Sequence, residues 1–116
     1  MIRGMHGLFY SSDPEALRAF LRDKLRLKST DVGGGWLIFD VPKADLGVHP
    51  TEGNSTPAGT AHISFFCDDL KSTISELKGH GVEFTQGVQD QGWGLVTELK
   101  APGGVKIQLY EPKYKK

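Results

Sequence analysis

Ala61-His62-Ile63-Ser64-Phe65-Phe66-Cys67-Asp68-Asp69-Leu70 reads as a β-strand that hands over to a helix. Its first seven residues are mainly apolar, and Asp68-Asp69 supply capping carboxylates ahead of Leu70, Ile74 and Leu77, which recur at helical spacing. His62 stands seven residues before Asp69. The same order opens the chain. Met5-His6-Gly7-Leu8-Phe9-Tyr10 is strand-forming, Ser11-Ser12-Asp13-Pro14-Glu15 is a helix start with a proline in the first turn, and His6 stands seven residues before Asp13. Ala16, Leu17, Phe20, Leu21 and Leu25 then fall on one helical side, with Arg18, Arg22 and Asp23 opposite.

Each strand–helix pair is followed by further strands. After Gly33-Gly34-Gly35, the segment 36–41 predicts a strand, Pro42-Lys43-Ala44-Asp45 a turn, and 46–49 the second arm of a hairpin. The turn-rich segment 50–59 links the halves. Beyond the second helix, which Gly79 and Gly81 stop, strands are expected over 82–88, 94–99 and 105–110, the last two joined by Pro102-Gly103-Gly104. The predicted fold is α+β: two β-α-β-β-β repeats forming a cup-shaped mixed sheet. Residues 1–116 are read as one domain, with repeat one over about 1–50, a linker over about 51–59 and repeat two over about 60–112.

The totals set the bounds. A chain of 116 residues suffices for one core. Lys plus Arg (14) equal Asp plus Glu (14), so no net field draws a polyanion, and nucleic acid is not an expected partner. No run approaches the roughly 20 apolar residues that span a bilayer, so no membrane role is expected. A single cysteine and an N-terminus without a secretion signal predict a cytoplasmic protein.

Strand parity sorts the side chains. If His6 faces a cup, Leu8 and Tyr10 share its face and Phe9 turns to the helices; if His62 does, Ser64 and Phe66 join it while Ile63, Phe65 and Cys67 pack beneath. Cys67, beside two aspartates, is expected to be buried and inert. Gly47 and His49 share a face of their strand, as do Gln108 and Tyr110. For Trp36, Trp93, Phe39 and Phe66 core packing is the default, although aromatic residues lining a cup would favour a flat or apolar ligand. Glu98, if inward, could serve as a general base. His80, between two glycines, and Lys113, Lys115 and Lys116 are read as solvated.

The duplicated histidine-to-aspartate spacing, with the closing Ala101-Pro102-Gly103-Gly104-Val105-Lys106-Ile107-Gln108-Leu109-Tyr110-Glu111-Pro112, resembles the vicinal oxygen chelate superfamily of glyoxalases, bleomycin-resistance proteins and dioxygenases. The resemblance implies a cup in which a divalent metal chelates vicinal substrate oxygens and acts as a Lewis acid. Carried over by position, His6 and His62 match two metal ligands, whereas the positions that commonly hold carboxylates fall on Gly47 and Gln108. Glycine offers no donor and glutamine no charge, so a typical glyoxalase I is not implied. His49, about 7 Å along the strand from Gly47, is the candidate third ligand. Zinc, iron, nickel or manganese would suit such a site.

Two functions follow from the resemblance. One is a metal-dependent lyase, isomerase or dioxygenase on a small oxygen-rich substrate, with His6, His62 and His49 at the metal, Glu98 catalytic, and Tyr10, Phe66, Gln108 and Tyr110 binding substrate. The other is a metal-free protein that sequesters a small hydrophobic or aromatic compound, as in the bleomycin-resistance branch. A homodimer is also implied.

Overall fold

The computed structural model describes residues 6–48, 51, 53 and 55–115. Both expected helices start at their aspartates. Helix α1 (Pro14–Asp23) is capped by the Asp13 carboxylate, which accepts from Ala16 N at 3.1 Å. Helix α2 (Leu70–Gly79) is capped in the same way by Asp69, which accepts from Ser72 N at 3.1 Å. Acceptors at these positions satisfy amides that the first helical turn leaves without partners. Helix α2 gains a second acceptor from across the fold, because the Glu111 carboxylate takes the Leu70 N–H at 2.8 Å.

Between the helices lie β1 (Lys28–Asp31), β2 (Leu37–Asp40) and β3 (Ser64–Phe66). After α2 come β4 (Gln89–Asp90), β5 (Gly94–Ala101) and β6 (Val105–Pro112). Strands β1 and β2 form a separate antiparallel pair, and the other four make a sheet in the order β3-β6-β5-β4. Within it β3 runs parallel to β6, while β4–β5 and β5–β6 are antiparallel. The second half is therefore a β-α-β-β-β unit with its first and last strands adjacent.

The core lies between this sheet and the helices. Leu17, Phe20 and Leu21 of α1 and Leu70 and Leu77 of α2 bury against Leu99, Ala101, Val105, Ile107 and Leu109. Odd-numbered residues of β5 and β6 thus face the helices, as the pleat requires. Thr97 shares this face and is buried, with its hydroxyl donating to the Gln86 carbonyl at 2.9 Å.

The start of α1 is pinned to the β5–β6 turn. Ser11 Oγ donates to the Pro102 carbonyl and accepts from Asp13 N, both at 3.1 Å, and Ser12 N donates to the Gly103 carbonyl at 3.0 Å. Gly103 has φ +80°, and a Cβ there would lie 1.7 Å from Ser11 Oγ. Glycine is required on both counts. At the far end of α1, His80 Nδ1 lies 2.9 Å from the Lys24 carbonyl, so this histidine, expected to be solvated, is half-buried and bonded to the first half.

The first half departs from expectation. The segment 37–40, expected to form a hairpin with 46–49, pairs with 28–31, and Gly33-Gly34-Gly35 forms the hairpin turn. All three glycines have positive φ, and the Asp31 carboxylate accepts from Gly33 N at 2.8 Å. Among the described residues neither 6–10 nor 46–48 forms a strand, and Met5 and His49 lie outside them. In the second half, 82–88 gives one bridge, Phe84 to Leu99, because the strand alongside β5 is interrupted before β4.

Residues 6–9 nevertheless run beside 62–65. A Cβ on Gly7 would come within 3.1 Å of Ile63 Cδ1, and the rings of Phe9 and Phe65 meet edge to face at 6.4 Å. Phe9 and Phe65 pack on the core, as parity predicts.

Candidate functional site

The face of the four-stranded sheet turned away from the helices carries two side-chain rows. One follows the register Phe66–Tyr110–Val96–Gln89, and the next follows Ser64–Gln108–Glu98. Rows two residues apart along a strand are separated by about 7 Å, roughly the width of an aromatic ring system.

The first row is an aromatic cluster. Tyr110 meets Phe66 at 6.1 Å between ring centroids and Trp93 edge-on at 5.3 Å. Its hydroxyl lies 3.1 Å from that of Tyr114. These neighbours leave Tyr110 only 8% exposed, on a face where Phe66 and Trp93 are 39% and 46% exposed. Burial chiefly, then the Tyr114 hydrogen bond and the charges of Tyr114 and Asp45, push the Tyr110 phenol well above the usual tyrosine range.

The second row is polar and internally bonded. Gln108 Nε2 donates to Ser64 Oγ at 3.0 Å, and Thr85 Oγ1 donates to Glu98 Oε1 at 2.7 Å. Glu98 and Gln108 sit opposite each other on β5 and β6. The row offers an amide, a hydroxyl and a carboxylate to any molecule lying on the aromatic row.

Of the residues singled out in the sequence, Phe66, Gln108, Tyr110 and Glu98 come together on this face. Tyr10 is 90% exposed, and His6 and His62 are exposed on neighbouring segments. Gly47 is exposed and His49 lies outside the described residues. Trp93, Trp36 and Phe66 are not core residues: Trp36 is 53% exposed under the Arg18 guanidinium, 4.6 Å from the ring centroid. Only Phe39 of that group packs on the core. Sequence reasoning missed Trp93, Thr85 and Tyr114 as parts of the face. For Trp93 a signal existed, since an indole between Gly92 and Gly94 at a strand end has little to pack beneath it.

Cys67 is half-buried, and burial first, then the charges of Glu111, Asp68 and Asp69, raise its thiol pKa against an opposing bond from Thr73. An open cavity of about 250 Å³, lined by Phe20, Lys24, Glu83 and Lys100 among others, shares no residue with the two rows.

A helix-backed β-α-β-β-β sheet with an open, mixed aromatic and polar face defines a small α+β architecture. The model of the Glyoxalase/Bleomycin resistance protein/Dioxygenase superfamily matches residues 5–109, and the chain belongs to that superfamily. Solved structures agree on the fold. An antibiotic-binding protein, TnmS3 of Streptomyces sp. CB03234, is 23% identical with a TM-score of 0.62, over 89% of each chain. A lactoylglutathione lyase of Agrobacterium tumefaciens is 18% identical with a TM-score of 0.62, over 89% of this chain and 88% of that one. A superfamily member from Sphaerobacter thermophilus DSM 20745 is 23% identical with a TM-score of 0.59, over 90% and 91%. No curated protein matches the sequence.

Members of this superfamily often bind divalent metals, and a catalytic zinc site takes about three protein donors. Among the described residues no three His, Cys, Asp or Glu side chains come together. The Gln108 amide is bonded to Ser64 and the Glu98 carboxylate to Thr85. Of the candidate ligands, His6 and His62 are both exposed, and His49 lies outside the described residues. Among the same residues no helix is long and apolar enough to cross a membrane.

Proposed function

We propose that the protein binds a small, flat, partly aromatic compound on the open sheet face, with its ring system against Phe66, Tyr110 and Trp93 and its polar edge on Ser64, Gln108 and Glu98. The observation that carries this reading is the pairing of two rows by strand register, one bearing Phe66 and the buried Tyr110 with Trp93 beside them, the other polar. Aromatic contacts supply affinity through buried area, and a few fixed polar groups set orientation. Sequestration needs nothing further, and the absence of carboxylates at positions 47 and 108 suits it. Native mass spectrometry of protein purified from its own source tests the reading. A co-purifying compound that is lost in Tyr110→Ala and Gln108→Leu supports it, and a face that retains no aromatic compound from a cell extract sinks it.

A second reading adds a dication held by His6, His62 and His49, with Glu98 as the base and Tyr10 near the substrate. The proximity of Gly7 to Ile63, which brings the segments bearing His6 and His62 alongside each other, favours it. Elemental analysis and titration of untagged protein with zinc, iron, nickel or manganese decide between the two. Stoichiometric metal lost on replacing His62 would support this reading, and metal retained without that residue would refute it.

Either reading is served by a homodimer. Leu8, Val41, Leu46 and Val48 are 44–97% exposed and offer apolar surface that a partner would take out of water. A second copy would cover it and complete the half of the cup in which 6–10 and 46–48 lack strand partners. Sedimentation at micromolar concentration should then give twice the chain mass. We place the protein in the cytoplasm on its lone thiol, a location that fractionation would check.

A further inference from the structure

We infer that the segment following β6, Lys113–Tyr114, is a latch on the open face: Tyr114 engages the hydrogen-bonding end of Tyr110, and a ligand seated on the aromatic row displaces it. The inference rests on the ligand-face reading above and names how that face is regulated.

The chain past β6 stays against the sheet, extending the β5–β6 ladder by one step. A Cβ on Gly94 would lie 2.8 Å from the Glu111 carbonyl oxygen, so glycine lets the end of β6 press against the start of β5. Lys113 N then donates to the Trp93 carbonyl at 2.9 Å, one step beyond the Gly94–Pro112 pair. The Lys113 ammonium is paired with Asp90 of β4, whose loop is itself closed by Gly92 N donating to the same carboxylate. These contacts carry Tyr114 to Tyr110. The phenol that a ligand would use on this row is thus already engaged, and its ring meets those of Phe66 and Trp93.

The latch is held lightly. Tyr114 remains 44% exposed, and the Lys113–Asp90 pair has side chains 42% and 57% exposed, where water and salt weaken it. One phenol–phenol hydrogen bond, one surface ion pair and the terminal backbone bond of Lys113 can be exchanged for ligand contacts, whereas the β5–β6 ladder behind them cannot. A ligand that brings its own hydroxyl or carbonyl to Tyr110 replaces the lost bond, and an apolar one does not. The latch therefore selects for compounds with a polar substituent on the ring.

The test uses N-phenyl-1-naphthylamine, a neutral flat fluorophore, against four chains: the full sequence, a chain ending at Pro112, Tyr114→Phe and Asp90→Asn. The three unlatched forms are expected to bind roughly three- to tenfold more tightly, the range set by one hydrogen bond and a weak ion pair. Tyr110→Ala should abolish binding in every background. Should the shortened chain fail to fold, the two point variants carry the comparison. Equal affinity in all forms, or weaker binding without Tyr114, overturns the latch and leaves the ligand face standing. Binding that is indifferent to Tyr110→Ala overturns both. A ligand-free readout completes the test: in a Trp36→Phe background, acrylamide should quench Trp93 more readily once Tyr114 is gone, and unchanged quenching refutes the latch.

Discussion

Gly103→Ala tests the joint between the first helix and the second-half sheet. Two costs can be separated from the geometry. A φ of +80° places an alanine in the left-handed region, at about 1–2 kcal/mol. Its Cβ would also fall 1.7 Å from Ser11 Oγ and 2.7 Å from Asp13 N, so Ser11 must leave. Both of its hydrogen bonds then go, at about 0.5–1.5 kcal/mol each. The expected loss is about 2–5 kcal/mol, which for a chain of this size lowers the melting temperature by on the order of 10–20 °C. Gly104→Ala is the control: its φ is +77°, but nothing lies within 4 Å of the added carbon, so it should show the strain alone. Urea unfolding of both variants, followed by circular dichroism, gives the two values. If they lose the same amount, the Ser11 contact contributes nothing and α1 is not seated as described.

Three further outcomes follow from the same contacts. In a Tyr10→Phe, Tyr114→Phe chain, tyrosinate absorbance should report Tyr110 ionising above its value in denaturant, because burial, the first cause of the rise, survives the substitutions. Since the folded value lies above the unfolded one, its stabilising contribution is full below about pH 10 and is lost as pH rises further, so alkaline melts should fall progressively. A native titration matching the denatured one would contradict the burial. Cys67, held protonated by burial and by neighbouring carboxylates, should react with iodoacetamide far more slowly in the folded chain than in urea; equal rates would show an open thiol. Asp13→Ala and Asp69→Ala each remove a cap and should lower unfolding free energy by about 1 kcal/mol. Loss at only one of them would break the equivalence of the two helix starts.

The sequence made the helices legible because their signals are local: an aspartate, a proline or leucine, and apolar residues at helical spacing. It also made the β5–β6 pair legible, since Pro102-Gly103-Gly104 is a turn by composition and both flanks are strongly apolar. The first hairpin was misread because Lys28-Ser29-Thr30-Asp31 carries no apolar alternation. Its own residues are mostly exposed and pair with the half-buried 37–40, so no buried face is written into it. The triple glycine reads by composition as a break, whereas its positive φ values make it the turn itself. At the site, strand parity placed Phe66, Gln108 and Tyr110 together, because parity is fixed by the pleat. Thr85 and Tyr114 could not be found that way. Each reaches the face through an irregular segment whose path depends on tertiary contacts, as does Trp93 in its glycine-flanked loop.

The joint at Ser11 and Gly103 also bears on the order in which the molecule assembles. It links positions 91 residues apart, whereas β5 and β6 are joined by a three-residue turn and pair along their whole length. Closing so long a loop is slow relative to forming a local hairpin. The β5–β6 ladder, with α2 and β3 added, is therefore expected to form first, and α1 to dock late onto a surface already made. Amide hydrogen exchange should preserve that history, with protons in β5 and β6 released only by global unfolding and those of the isolated β1–β2 pair released by local opening. The proposed ligand face would then rest on the slowest-exchanging part of the chain, and loosening of the first half would leave that face intact.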